Sequence, residues 1–223
     1  MLQHQPQVCN IIISNNDDYI IKDSIESCFS QTFKNMSVVV VSRMSSVDQT
    51  YFNAKGCMDV VDDYSPTNIV GSRLGKKMVI TRLVDKDENA CLVHAFNTCM
   101  FYKIRPQYFL IMTSPCVLDN NVTELCYNEL KNEAIACYAD TIDSNIYIPS
   151  QSCLNSPIAS IGPFIFIKAD AIKAFNPEQH KTCLDFINQL AISNVVSHLP
   201  KPMSKILWTE NTLKLAKIMN KRV

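Results

Sequence analysis

Two short apolar runs, "VCNIII" at residues 8–13 and "SVVVVS" at residues 37–42, constrain this chain more than any other feature. Both are rich in β-branched residues and neither alternates with polar ones, so each reads as a strand buried on both faces. The turn-formers "SNNDD" close the first run. Between the two, "YIIKDSIESCFSQ" places Ile21, Ile25, Cys28 and Phe29 at helical spacing, which makes an amphipathic helix. Asp17 or Asp18 is its expected N-cap. Strand, helix and strand within about 35 residues specify a right-handed βαβ unit and a parallel sheet.

The rest of the chain continues that alternation. "CMDVVDDYSPTN" and "KKMVITRLVD" hold short strand-like runs around a loop near Pro66 and Gly71. "ENACLVHAFNTCMFYK" has helical spacing, and "QYFLIM" is the next buried strand. "NNVTELCYNELKN" is a helix with Asn120 or Asn121 as cap, "AIACYADTI" a strand, and "NIYIPSQSC" and "ASIGPFIFIKAD" strand or loop. "LDFINQLAIS" is a helix, "VVSHLP" a short strand, and a terminal helix covers about 209–221. No repeat, low-complexity linker or shift in composition divides residues 1–223, so one domain is expected. The fold class is α/β: a mixed, mostly parallel Rossmann-like sheet flanked by helices.

Composition narrows the function classes. Twenty-one basic residues balance 21 acidic ones, which argues against nucleic acid or an anionic membrane as partner. The basic C-terminal "KLAKIMNKRV" reads as a solvated helix end. Glycine occurs only at Gly56, Gly71, Gly75 and Gly162, and neither glycine-rich phosphate-loop pattern is present. The ten cysteines are scattered through apolar runs without metal-site spacing, as expected of small buried hydrophobes in a reducing compartment. No signal peptide and no membrane-spanning run is apparent, so a cytoplasmic protein is expected.

Several stretches together resemble the family 2 glycosyltransferases of the GT-A fold. "VCNIIISNNDDYIIKDSIESCFSQTFKNMSVVVVS" is similar to that family's opening strand, turn, helix and valine-rich strand. Gln31, Thr32, Phe33, Lys34 and Asn35 match its Gln-Thr-Tyr and Lys-Asn steps, and Asn16 takes the place of its turn asparagine. "ENACLVHAFNTCM" retains Asn89, Ala95, Asn97 and Thr98 of a family helix, and Phe96 stands where many members have Arg or Lys. "QYFLIMTSPCVLDNNVTELCYNEL" resembles the strand, DXD motif and helix that follow. "AIACYAD" is similar to the next strand, and "FNPEQHKTCLDFINQLAISNVVSHLPKPM" to the closing part. The resemblance spans residues 8–205 and implies a GT-A-like fold with a nucleotide-sugar cleft.

That family's chemistry needs carboxylates at three places, and this chain lacks all of them. After the second strand an acid would bind the nucleotide, but Ser42, Arg43 and Met44 follow the valines. The DXD acids would hold a divalent cation against the donor diphosphate. Thr113, Ser114 and Pro115 occupy those positions, and proline has no side-chain ligand. The general base would fall on Thr182 and Cys183. The resemblance therefore implies a degenerate member with a vestigial donor cleft at Ser14, Asn16, Ser42, Thr113 and Ser114. No metal is expected unless the DXD motif lies elsewhere.

Three functions remain open on the sequence. The leading one is a non-catalytic scaffold or binding protein, partnered by another protein or a second copy. The alternative is a divergent transferase using a nucleotide-sugar without metal, with Arg43, Arg73, Lys76, Lys77 or Arg82 stabilising the diphosphate. Asp17, Asp18, Asp62, Asp63 and Asp140 are its candidate substitute carboxylates, Asp140 resembling an acceptor-side aspartate of the family. The third is a Cys/His enzyme built on Cys183 and His180. His94 reads as a satisfied core histidine, and His198 is not near any other histidine in sequence.

Overall fold

The structure, a computed structural model, describes residues 5–14, 20–44, 49–84, 88–113, 116–131, 133–143, 146–148, 164–172 and 196–206. These residues form one eleven-stranded sheet with helices on both faces. Strand β1 (Val8–Ser14) is buried at every position, as its unbroken apolar run requires. Helix α1 (Ile20–Phe29) leads to β2 (Met36–Met44), and β1 pairs with β2 in parallel from Val8↔Met36 to Ser14↔Ser42. On its other side β1 pairs in parallel with β6 (Tyr108–Thr113), up to Ile13↔Thr113.

A short helix α2 (Gln49–Lys55) and an antiparallel meander follow β2: β3 (Val60–Tyr64), β4 (Asn68–Arg73) and β5 (Lys76–Val84). Strand β5 then returns to pair in parallel with β2, from Val38↔Met78 to Met44↔Val84. Two glycines make this meander possible. A Cβ on Gly71 would lie 2.1 Å from the Val60 carbonyl oxygen, so only glycine admits β3 at that distance. Leu74 and Gly75, with φ of 49° and 71°, form the two-residue turn from β4 to β5.

Beyond β6 the sheet becomes mixed. Strand β10 (Phe164–Lys168) runs antiparallel between β6 and β8 (Ala136–Asp143), and β11 (Val196–Ile206) lies parallel to β8. The small strands β7 (Cys116–Leu118) and β9 (Ile146–Ile148) pair antiparallel with β11 and β8. The full order is β3-β4-β5-β2-β1-β6-β10-β8-β11-β7 with β9 on β8. Strand β11 is longer than "VVSHLP" suggested because it continues through Pro200 and Pro202. Its register shifts at both prolines, which have no N–H to give the ladder.

Two hydrophobic layers hold the sheet. On one face Ile12, Val38, Val40, Leu110 and Phe166 pack with α1, α2 and α4 (Val122–Leu130). On the other, Ile11, Val39, Val41 and Ile165 pack against α3 (Glu88–Phe101), with the short α5 (Ala169–Ile172) beside it. The eight described cysteines are all buried and free. Among the described residues no helix is long and apolar enough to cross a membrane.

The cap of α4 departs from expectation. Asn121 sits at the N-cap position, but its side chain makes no capping hydrogen bond. The fully buried Gln31 does that work from the end of α1. Its Oε1 accepts from the Thr123 N–H at 3.1 Å, while its Nε2 donates to the carbonyls of Ser27 at 2.8 Å and Asp119 at 2.7 Å. Next to it, the Thr32 N–H donates to Asn120 O and its hydroxyl to Glu124. The Gln31-Thr32 step is thus a tie between two helices. The expected caps Asp17 and Asp18 and the helices expected at "LDFINQLAIS" and about 209–221 lie outside the described residues.

Candidate functional site

The parallel strands β5, β2, β1 and β6 all end at one edge of the sheet, where open α/β sheets bind ligands. Register fixes what they bring there. Ser14, Ser42 and Arg82 lie side by side in one row, and Thr113, Ile13, Val41 and Thr81 in the next. Ser14 and Ser42 are fully buried, and the Ser14 Oγ has no hydrogen-bond partner among the described residues. The Arg82 guanidinium stands 5.7 Å from the Tyr51 ring centroid, and Arg43 is half-buried one residue beyond Ser42.

On the α3 face Thr81 Oγ1 and His94 Nε2 are 2.6 Å apart. Burial holds the His94 pKa below its ordinary 6.5, so the ring is neutral near neutral pH. His94 is a partnered structural histidine, as its apolar neighbours predicted.

The register also brings in a pair that was not visible in sequence. Phe164 lies opposite Met112, and Phe166 opposite Cys137, so Asp140 stands two strands from Thr113 at the same edge. Two strand spacings are about 10 Å. Asp140 is only 1% exposed, and its Oδ1 is 2.7 Å from Nε2 of His198, 58 residues away. The His198 ring stacks on Tyr138 at 4.8 Å, which fixes its plane. An imidazole oriented by a carboxylate is an arrangement able to move a proton. The available signal in the sequence was a titratable residue in each of two otherwise largely apolar strands, Asp140 in "ACYAD" and His198 in "VVSHLP".

Other expected groups do not converge. Arg73, Lys76 and Lys77 sit at the β4–β5 turn, the opposite end of β5 from Arg82. Six residues of strand is about 20 Å, so these three cannot face a ligand at the β6 end. Arg73 instead donates to Glu26 at 2.6 Å and to the Cys57 carbonyl at 2.7 Å. Asp62 and Asp63 are exposed on the edge strand β3, away from the cleft. Of the expected cleft, Ser14, Ser42 and Thr113 are brought together, while Asn16 and Ser114 lie outside the described residues. Thr182, Cys183 and His180 lie outside them too.

The sequence at the end of β6 supplies no carboxylate for a divalent cation. No carboxylate occurs between Tyr108 and Leu118, and β7 opens on the buried thiol of Cys116. Among the described residues no group of three or more His, Cys, Asp or Glu side chains is arranged to hold a metal.

No known family profile matches the sequence, and no curated protein matches it significantly. Solved structures do match. Residues 1–349 of S. aureus TarS, in complex with UDP, align with a TM-score of 0.64 at 15% identity, over 93% of this chain and 62% of that one. The UDP-GlcNAc complex of the same protein gives 0.63 at 16% identity, over 92% and 59%. The mannosyltransferase PcManGT from Pyrobaculum calidifontis, with GDP-Man and Mn2+, gives 0.60 at 12% identity, over 97% and 61%. The chain thus spans about three fifths of the length of the structures it matches. The likeness establishes a GT-A glycosyltransferase-like fold.

Proposed function

We propose that this GT-A-like chain has lost metal-dependent sugar transfer and serves as a non-catalytic scaffold or binding protein. The observation that carries this reading is the Thr-Ser-Pro sequence that leaves β6, at the place where a donor-bound cation would need carboxylates. The two apolar layers and the Gln31 tie support it, because a fold held by volume and hydrogen bonding outlives its chemistry. The partner is a protein or a second copy of the chain, in a compartment reducing enough to leave the buried thiols free.

One observation favours a second reading, a transferase that uses a nucleotide-sugar without metal. In it the Asp140–His198 pair takes the acceptor proton, and Arg43 and Arg82 face the diphosphate.

Thermal unfolding with UDP, UDP-GlcNAc and GDP-mannose, with and without Mn2+, separates the readings. A ligand that binds the folded state raises the midpoint with concentration. The expected result is no Mn2+-dependent rise and no release of nucleotide from either sugar donor. A rise requiring Mn2+ would sink both readings. A metal-free rise with nucleotide release that Asp140→Asn abolishes would replace the first reading by the second.

A further inference from the structure

Strand β3 ends the sheet, with β4 as its one strand partner among the described residues. An edge strand presents a row of backbone N–H and C=O groups that another strand can pair with. All five residues of β3 are exposed, and its apolar side chains are as bare as its polar ones. Val60 and Tyr64 are each 52% exposed and Val61 41%.

A bulge sorts these side chains onto two faces. The register runs Val60↔Ser72 and Val61↔Gly71, then Asp63↔Val70 and Tyr64↔Ile69, so Asp62 is the extra residue. Ile69 belongs to the apolar layer on the α1 side, and Val70 packs on the layer beside α3. Tyr64 therefore lies on the α1 side, where the Lys55 ammonium of α2 stands 4.4 Å from its ring centroid. Val61, opposite Gly71, shares that side, and the exposed Phe52 sits one turn before Lys55. Asp63 lies on the α3 side, where burial and then the Asp63 charge raise the Tyr102 pKa. Asp62 acts on the same side. Burial lowers the Lys77 pKa and the Asp62 charge opposes that, with Lys77 Nζ donating to the Tyr102 carbonyl at 2.8 Å.

Adjacent residues of an unbroken strand point to opposite faces. Here the bulge gives one face two carboxylates and leaves the other apolar. Neither Asp62 nor Asp63 forms an ion pair with a described residue, whereas Asp59 is committed to the Leu74 N–H at 2.6 Å. Charge then selects the occupant. A second copy would pair antiparallel about a two-fold axis. Any such register covering β3 sets Asp62 and Asp63 opposite or diagonal to the same aspartates of that copy, where like charges repel. We infer that β3 takes an extended segment of a partner protein as an added strand, with Lys or Arg on the side of Asp62 and Asp63 and apolar residues on the side of Val61, Tyr64 and Phe52. Main-chain hydrogen bonds supply the pairing, and the alternating side chains supply the selectivity. The assignment rests on the reading of the chain as a binding protein and names the chemistry of its partner.

The probe is a fluorescent peptide of about eight residues that alternates Lys and Val, titrated into the full-length chain by anisotropy. Binding is expected, and it should weaken at least tenfold in Asp62→Asn/Asp63→Asn. It should stay within about twofold in Asp23→Asn/Glu133→Gln, which removes the same charge from exposed positions elsewhere. A Lys-Pro peptide of equal charge lacks half the N–H donors and should bind at least fivefold more weakly. Hydrogen exchange on the wild-type protein needs no variant to fold: the Lys-Val peptide should slow exchange at residues 60–64. Absence of binding, equal binding of the Lys-Pro peptide, or unchanged exchange at residues 60–64 would each overturn the assignment. Protection of these residues that grows with protein concentration alone would replace the partner by a second copy. These outcomes decide the docking strand, while nucleotide binding and release decide the binding-protein reading separately.

Discussion

From a fully buried position the side-chain amide of Gln31 makes three hydrogen bonds to backbone groups, one to Ser27 in α1 and two, to Asp119 and Thr123, at the start of α4. Gln31→Ala leaves at least the Thr123 N–H and the Asp119 carbonyl unmatched. At about 1–3 kcal/mol for each buried group, the loss should be about 2–4 kcal/mol. Urea unfolding would show it as a lower midpoint with an unchanged slope. A loss below about 0.5 kcal/mol would mean that water replaces the amide. His94 gives a pH-dependent counterpart. Because its folded-state pKa is depressed, the unfolded chain takes up the proton first as pH falls. The stability tied to His94 is therefore present above pH 6.5 and lost as pH falls below it toward the folded value. Urea midpoints from pH 7.5 to 5 should fall more steeply for the wild type than for His94→Gln. Parallel curves would clear His94 of this role. The structural role of His94 was legible in its apolar neighbours, though not its partner Thr81, while the task of Gln31 was not. Gln31 was recognisable only as part of a resemblance, because its partners lie about 90 positions away and no local pattern encodes such a distance.

Elements with long, regular periodicity were readable in advance: β1, α1, β2, α3 and β6 all stand where their apolar spacing placed them. Those that escaped were short or depend on neighbours. Helix α2 has seven residues, too few for a periodic signature. Of the meander, β3 and β5 were expected as strand-like runs, but β4 stands where a loop was expected near Gly71, because Gly71 admits β3 closely and the Leu74–Gly75 turn returns the chain. These two glycines make a ranked pair of predictions. Gly71→Ala drives a Cβ into the Val60 carbonyl and should cost about 1–3 kcal/mol, as overpacking does. Gly75→Ala meets nothing within 4 Å and carries only the cost of its positive φ, about 1 kcal/mol. Thermal midpoints of the two variants should keep that order. A reversed order would mean that β3 moves aside freely.

At the scale of the whole molecule, central strands of 7 and 9 residues hold the two ends of the sheet about 20 Å or more apart, so a substitution at the amino ends of the strands leaves the serine-lined edge intact. The pairing of Asp140 with His198 shows what scale adds. Neither residue is distinctive alone, and only the fold of strands far apart in sequence makes them one unit. The thiols share this dependence on the intact sheet. Cys28 has its pKa pushed up to about 12 by burial, and Cys57, Cys99, Cys116 and Cys126 are raised as well. The thiolate is the reactive form, and burial also shields all eight described cysteines from reagent, so the folded protein should alkylate only slowly. These cysteines then serve as a chronometer already distributed through the molecule. Under a steady pulse of iodoacetamide, Cys57 at the sheet's margin should carry the label first, while Cys9 and Cys137 stay unmarked until the entire sheet comes apart.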